Sequence, residues 1–127
     1  MAFGLALVLA PGLSRQGFSL LVYSDQDRIS LFGQEAARYI SLAHAVLGGV
    51  MFGWGIALVA VVRTLFASGC RAGWNIVALS VGAWFVPDTG YSLLSGYWQN
   101  AVLNLGFLLV FVVPLIATRE VFRASEA

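Results

Sequence analysis

Residues 84–104 read WFVPDTGYSLLSGYWQNAVLN. The stretch separates two apolar runs and concentrates Pro87, Asp88, Tyr91, Ser92, Ser95, Asn100 and Asn104. The run from Trp74 to Val86 holds about thirteen residues, roughly 20 Å as a helix, too short to cross a ~30 Å hydrocarbon core. Carried through Pro87 to Ser95 it becomes about twenty-two residues, enough for a span. A proline is tolerated inside a membrane helix when hydroxyl side chains or neighbouring helices satisfy the carbonyl it frees. Thr89, Tyr91 and Ser92 stand close by in sequence for that role. The expectation is one kinked helix over about 72–95, stopped by Gly96, with GYWQN as the turn. The competing reading stops the helix at Val86 and leaves Asp88 in a surface loop.

Composition supports lipid as the solvent. The 127 residues are 60% hydrophobic and 10% charged, where soluble domains carry about 25% charged residues. So little polarity cannot cover a water-facing core. The expected fold class is therefore an all-α integral membrane protein, a single domain over 1–127. The net charge of +1 offers no electrostatic footprint for nucleic acid. Cys70 is the one cysteine, so an internal disulfide and a Cys-rich metal centre are both excluded.

Outward from the central stretch, Ala101 to Thr118 is an apolar run interrupted by Asn104 and Pro114, and predicts a last helix over about 100–119. Upstream, Tyr39 to Val62 carries no charged residue and has His44 inside it. It predicts a helix over about 36–63, with Glu35 and Arg38 near its solvated start. Gly49 and Gly53 form a small-x-x-x-small pair on that helix and are its expected packing face. Arg63 to Gly73 is a short polar connection, and Trp74 restarts the apolar run where interfacial aromatics belong.

The amino-terminal third is read as two pieces. Met1 to Leu9 is apolar and is closed by Pro11-Gly12. It predicts a helix over about 1–13 that is short, or the truncated tail of a full span; a basic region and cleavage site of a signal peptide are missing. Residues 14–35 are read as a polar extramembrane segment lying at the lipid headgroups. Ser24, followed three residues later by Asp27, has the form of a helix N-cap. Asp25 and Asp27 are read as solvated loop carboxylates rather than metal ligands. The result is a four-helix transmembrane bundle.

Arginine placement orients it. Counting the first segment as a crossing puts Arg63, Arg71, Arg119 and Arg123 on one side, with Glu120 and Glu126. The other side holds Arg15, Arg28 and Arg38, with Asp25, Asp27 and Glu35. The excess of arginine places both termini in the cytoplasm.

Depth matching then gathers a candidate site. With helices alternating in direction, His44, Asp88, Asn100 and Asn104 fall in one leaflet. Trp84, Asp88, Tyr91, Ser92 and Ser95 recur at helical spacing. An ionisable residue in a membrane faces a bundle interior or a wet cavity, and His44 or Arg38 is the expected partner of Asp88. Two readings follow. Polar residues between membrane helices commonly serve as hydrogen-bonding glue, at about 0.6 kcal/mol each. Alternatively, His44, Asp88, Tyr91, Ser92, Asn100 and Asn104 bind a small ligand, a quinone or a proton.

Named chemistries lack their motifs. Haem ligation wants two facing axial groups, whereas His44 and Met51 share one helix. A Ser92, His44 and Asp88 triad has no nucleophile elbow. The glycines lie in apolar runs, as packing devices rather than phosphate loops. No metal, cofactor or catalytic residue is assigned. The expected role is a non-catalytic packing or accessory subunit, in contact with the lipid bilayer and with a second copy or a larger membrane complex. In size and span count the chain is similar to small four-helix proteins of the bacterial inner membrane, DoxX-like proteins among them; no motif carries a residue or an activity across.

Overall fold

The computed structural model describes residues 1–124, with side chains through Phe122. Glu126 and the side chain of Arg123, both used in the arginine balance, lie outside the described residues. The described chain is all α. Five α-helices run Ala2–Leu9 (α1), Pro11–Tyr23 (α2), Gln34–Val61 (α3), Arg71–Leu94 (α4) and Trp98–Ala124 (α5). A 3-10 turn covers Arg28–Phe32 and a π-helical turn covers Val62–Phe66. The chain forms two compact units, Met1–Ala57 and Leu58–Ala127.

In the first unit, the expected helix over 1–13 is in fact two helices, bent by 110°. The break is local chemistry. Ala10 precedes a proline and sits at φ −132° and ψ 58°, because the proline ring disfavours the helical region for the residue before it. Pro11 then occupies the first turn of α2, where its missing N–H costs nothing. Thus residues 11–23, read mostly as a polar extramembrane stretch, form a 13-residue helix. Ser24 ends it in the left-handed region, at φ 56°. It is a C-cap residue, not the N-cap its spacing suggests. Ser19 is fully buried and anchors the following loop. Its hydroxyl donates to the Asp25 carbonyl at 2.6 Å and accepts the Ile29 N–H at 3.3 Å.

α1 lies antiparallel along α3. A Cβ placed on Gly4 would stand 2.8 Å from the Gly48 carbonyl oxygen. One placed on Gly48 would stand 2.5 Å from the Gly4 carbonyl oxygen and 2.7 Å from Leu7 Cβ. Further along, Gly55 meets the Met1 side chain. Backbones approach this closely only where side chains are missing. The seam within the chain is therefore Gly4, Gly48 and Gly55. Gly49 lies about 100° and Gly53 about 140° around the helix from Gly48, and a Cβ on either meets nothing within 4 Å among the described residues.

In the second unit, the π turn and Gly69, at φ 72°, reverse the chain into α4. Gly73 fits against the backbone of Leu65 and Phe66, and Phe66 stacks on Phe122 at 4.5 Å between centroids. α4 and α5 form an antiparallel hairpin with a core of Val77, Val81, Leu115 and Phe122.

Among the described residues, two helices are long and apolar enough to cross a membrane: Gln34–Phe66, counting the π turn, and Trp98–Phe122. A third qualifies if the bent α1–α2 pair is one span. Only 6% of the most apolar window of the first and 11% of the second is buried within the protein. Helices so apolar and so uncovered require a non-aqueous surrounding. The chain is thus a small helical protein with two to three candidate membrane spans.

Candidate functional site

Pro87 lies inside α4, which runs on to Leu94. Asp88 is therefore helical, and the reading that places it in a surface loop falls. Ser95 caps the helix, Gly96 turns the chain at φ 80°, and α5 starts two residues later. The tight turn brings the first residues of α5 back onto the last turns of α4.

There a polar clasp forms. The Asn100 side-chain amide donates to the Ser92 hydroxyl at 2.8 Å and to the Asp88 carboxylate at 3.2 Å. The Ser92 hydroxyl donates in turn to the Asp88 backbone carbonyl at 2.7 Å. One turn further along α5, the Asn104 amide donates to the Thr89 hydroxyl at 3.2 Å. Ser92 and Asn104 are both buried, at 4% exposure; Asp88, Thr89 and Asn100 are half-buried. At the other end of the hairpin, the Trp74 indole N–H donates to the Leu115 carbonyl at 3.0 Å.

Of the expected residues, Asp88, Ser92, Asn100 and Asn104 come together, and the partner that the described residues give Asp88 is Asn100. Tyr91 does not join them. It is 73% exposed, because its position lies about 100° around α4 from Ser92. Ser95 is also exposed. Thr89 belongs to the clasp although its expected role was the carbonyl freed by Pro87. The signal that finds it is the turn length: a hairpin closed at Gly96 pairs position 89 with 104 as it pairs 92 with 100.

His44 belongs to the first unit. Its Nδ1 bonds the Ile40 carbonyl at 2.8 Å, and its ring packs on Phe18 at 4.7 Å between centroids. That is the environment of a packed helical histidine. Asp25 accepts the backbone N–H of Asp27 at 3.0 Å, an Asx turn. Among the described residues, no three of His, Cys, Asp and Glu gather as a metal-binding group.

No family model matches the chain, and no curated protein and no solved structure matches it significantly. Function rests on the geometry alone.

Proposed function

We propose that this is a multi-pass protein of a bacterial cytoplasmic membrane acting as a non-catalytic packing or accessory subunit, with cytoplasmic termini. The observation that carries this reading is the clasp. Asn100 and Asn104 donate across the hairpin, to Ser92, Asp88 and Thr89, and Ser92 donates to the Asp88 carbonyl on its own helix. Polar groups satisfied in that way hold two helices together and leave few donors for a ligand.

The clasp also supports α4 as a crossing. α4 is 24 residues long, about 36 Å as a helix, yet less apolar than the two candidate spans. It packs on α5 from Trp74 at Leu115 to Thr89 at Asn104. Where α5 crosses, α4 is drawn to the same depths, and its polar side chains are those that α5 satisfies. With α1 packed on α3, this reading counts four helices in the membrane, α1, α3, α4 and α5, of which α1 is short at 8 residues.

The uncovered face of α3 is the docking side for a second copy or a larger membrane partner. Leu42, Val46 and Val50 are exposed there at 60%, 59% and 65%, and Gly49 and Gly53 permit close approach. Cross-linking in native membranes tests this. A cross-linked species of fixed mass is expected; recovery of monomer alone at every concentration would contradict it.

A second reading is favoured by Asp88, a half-buried carboxylate beside the Asn100 amide. It makes the same clasp a site for a small ligand, a quinone or a proton. Native mass spectrometry of the purified protein separates the two. A stoichiometric small molecule that is lost in Asp88→Asn favours the site.

A further inference from the structure

We infer that α2 lies in the plane of the membrane interface, with Leu13 and Leu20 toward the acyl chains, so that α1 and α2 are not one bent span. This rests on α3 crossing the bilayer, and it adds a lipid contact surface that spans alone do not give.

Depth can be read along α3. Met1 packs at Gly55, and Leu7 and Val8 pack at Gly48. α1 therefore advances toward the amino-terminal end of α3. Had α2 continued in that direction, the ten residues from Val8 to Phe18 would have advanced about 15 Å, to the level of residue 38. Phe18 instead packs on His44, only four residues from Gly48, an advance of about 6 Å. The 110° bend has the same consequence: a helix turned that far from one lying along α3 crosses α3 steeply.

His44 lies ten residues after the start of α3 at Gln34, about 15 Å along the axis. Glu35 and Arg38 occupy the turns before it, so the apolar part of α3 begins near Tyr39. α2 thus sits within several ångströms of the apolar boundary. Interfacial helices occupy that depth. Its inward side packs Phe18 on His44 and buries Ser19. On the outward side Leu13 is 71% exposed, Leu20 is 47% exposed, and Gln16 is exposed between them. Leu13 and Leu20 are seven residues apart, nearly two full turns, and so share that side. The loop that follows carries Asp25, Asp27 and Arg28, which suits return to water before α3 begins.

Nitroxide labels measure this. In the full chain carrying Cys70→Ser, single substitutions Leu13→Cys and Leu20→Cys are labelled in phosphatidylcholine–phosphatidylglycerol vesicles. Depth is read from relaxation by oxygen and by a water-soluble nickel complex. Leu42→Cys and Val50→Cys on α3 supply the internal ruler, eight residues or about 12 Å apart along the axis. The expected result is the same depth, within about 3 Å, at positions 13 and 20, together with graded depth on α3. A difference of about 10 Å between 13 and 20 would make α2 a crossing helix and overturn the inference. Equal exposure of both to the nickel complex, with little oxygen relaxation, would remove the lipid contact and overturn it too. If positions 42 and 50 show no gradient, α3 does not cross and the underlying reading fails instead. Gln16→Cys and Tyr23→Cys, also exposed and seven apart, repeat the comparison should a leucine substitution prevent insertion.

Discussion

Asn100 reaches Asp88 across the turn at Gly96. Its side-chain amide stands 3.2 Å from the Asp88 carboxylate, with the Ser92 hydroxyl at 2.8 Å from the same nitrogen. One asparagine therefore engages two residues of the neighbouring helix. Removing it withdraws a donor from both. Asn100→Ala should lower the unfolding free energy in detergent by about 1 kcal/mol. Asn100→Asp should cost more, because it sets a second carboxylate against Asp88. Reversible unfolding in mixed micelles measures both.

The glycine seam gives a sharper contrast. A Cβ on Gly48 would fall 2.5 Å from the Gly4 carbonyl oxygen, whereas one on Gly49 meets nothing within 4 Å among the described residues. Gly48→Val should displace α1 and destabilise by about 1–3 kcal/mol, in the range of overpacking elsewhere. Gly49→Ala should be neutral or slightly stabilising, as Ala replaces Gly in a helix. Thermal unfolding of the two variants side by side decides between this seam and one at Gly49 and Gly53.

Gly49 and Gly53 then have a different expected role. If their side of α3 receives a second copy or a membrane partner, Gly53→Leu leaves the fold of the monomer intact and abolishes the cross-linked species. Cross-linking in native membranes, paired with a thermal melt, checks both halves of that statement.

Trp74 contributes through one atom as well as its bulk. Trp74→Phe keeps the aromatic surface and removes the N–H that donates to the Leu115 carbonyl. The expected loss is about 0.6 kcal/mol, the average for a hydrogen bond between membrane helices. Unfolding in mixed micelles again provides the reading. A loss above 3 kcal/mol would point to packing rather than this bond.

Much of the second unit is legible in the sequence, since span length alone forces the helix through Pro87 and Gly96 supplies the reversal. With the turn fixed, Asn100 and Asn104 must face the last turns of α4. Tyr91 was harder, because a position one residue from Ser92 at helical spacing still lies on a different side. The first unit was less legible. Residues 14–23 mix polar and apolar types in a helix too short to announce itself by length, so composition suggests only a polar extramembrane segment. Gly48 and Gly49 are adjacent and offer two sides of one helix; only the path of α1 selects between them. Ser24 shows the same limit, since a serine before an acidic loop suits either end of a helix.

The polar side chains between α4 and α5 bind the two helices to each other. A double-mutant cycle on Ser92→Ala and Asn100→Ala tests this most directly, with unfolding free energy in mixed micelles as the readout. The predicted coupling is about 0.6–1.7 kcal/mol, the range for bonded pairs between membrane helices. Single variants that leave stability unchanged, with a coupling of about zero, would contradict the claim.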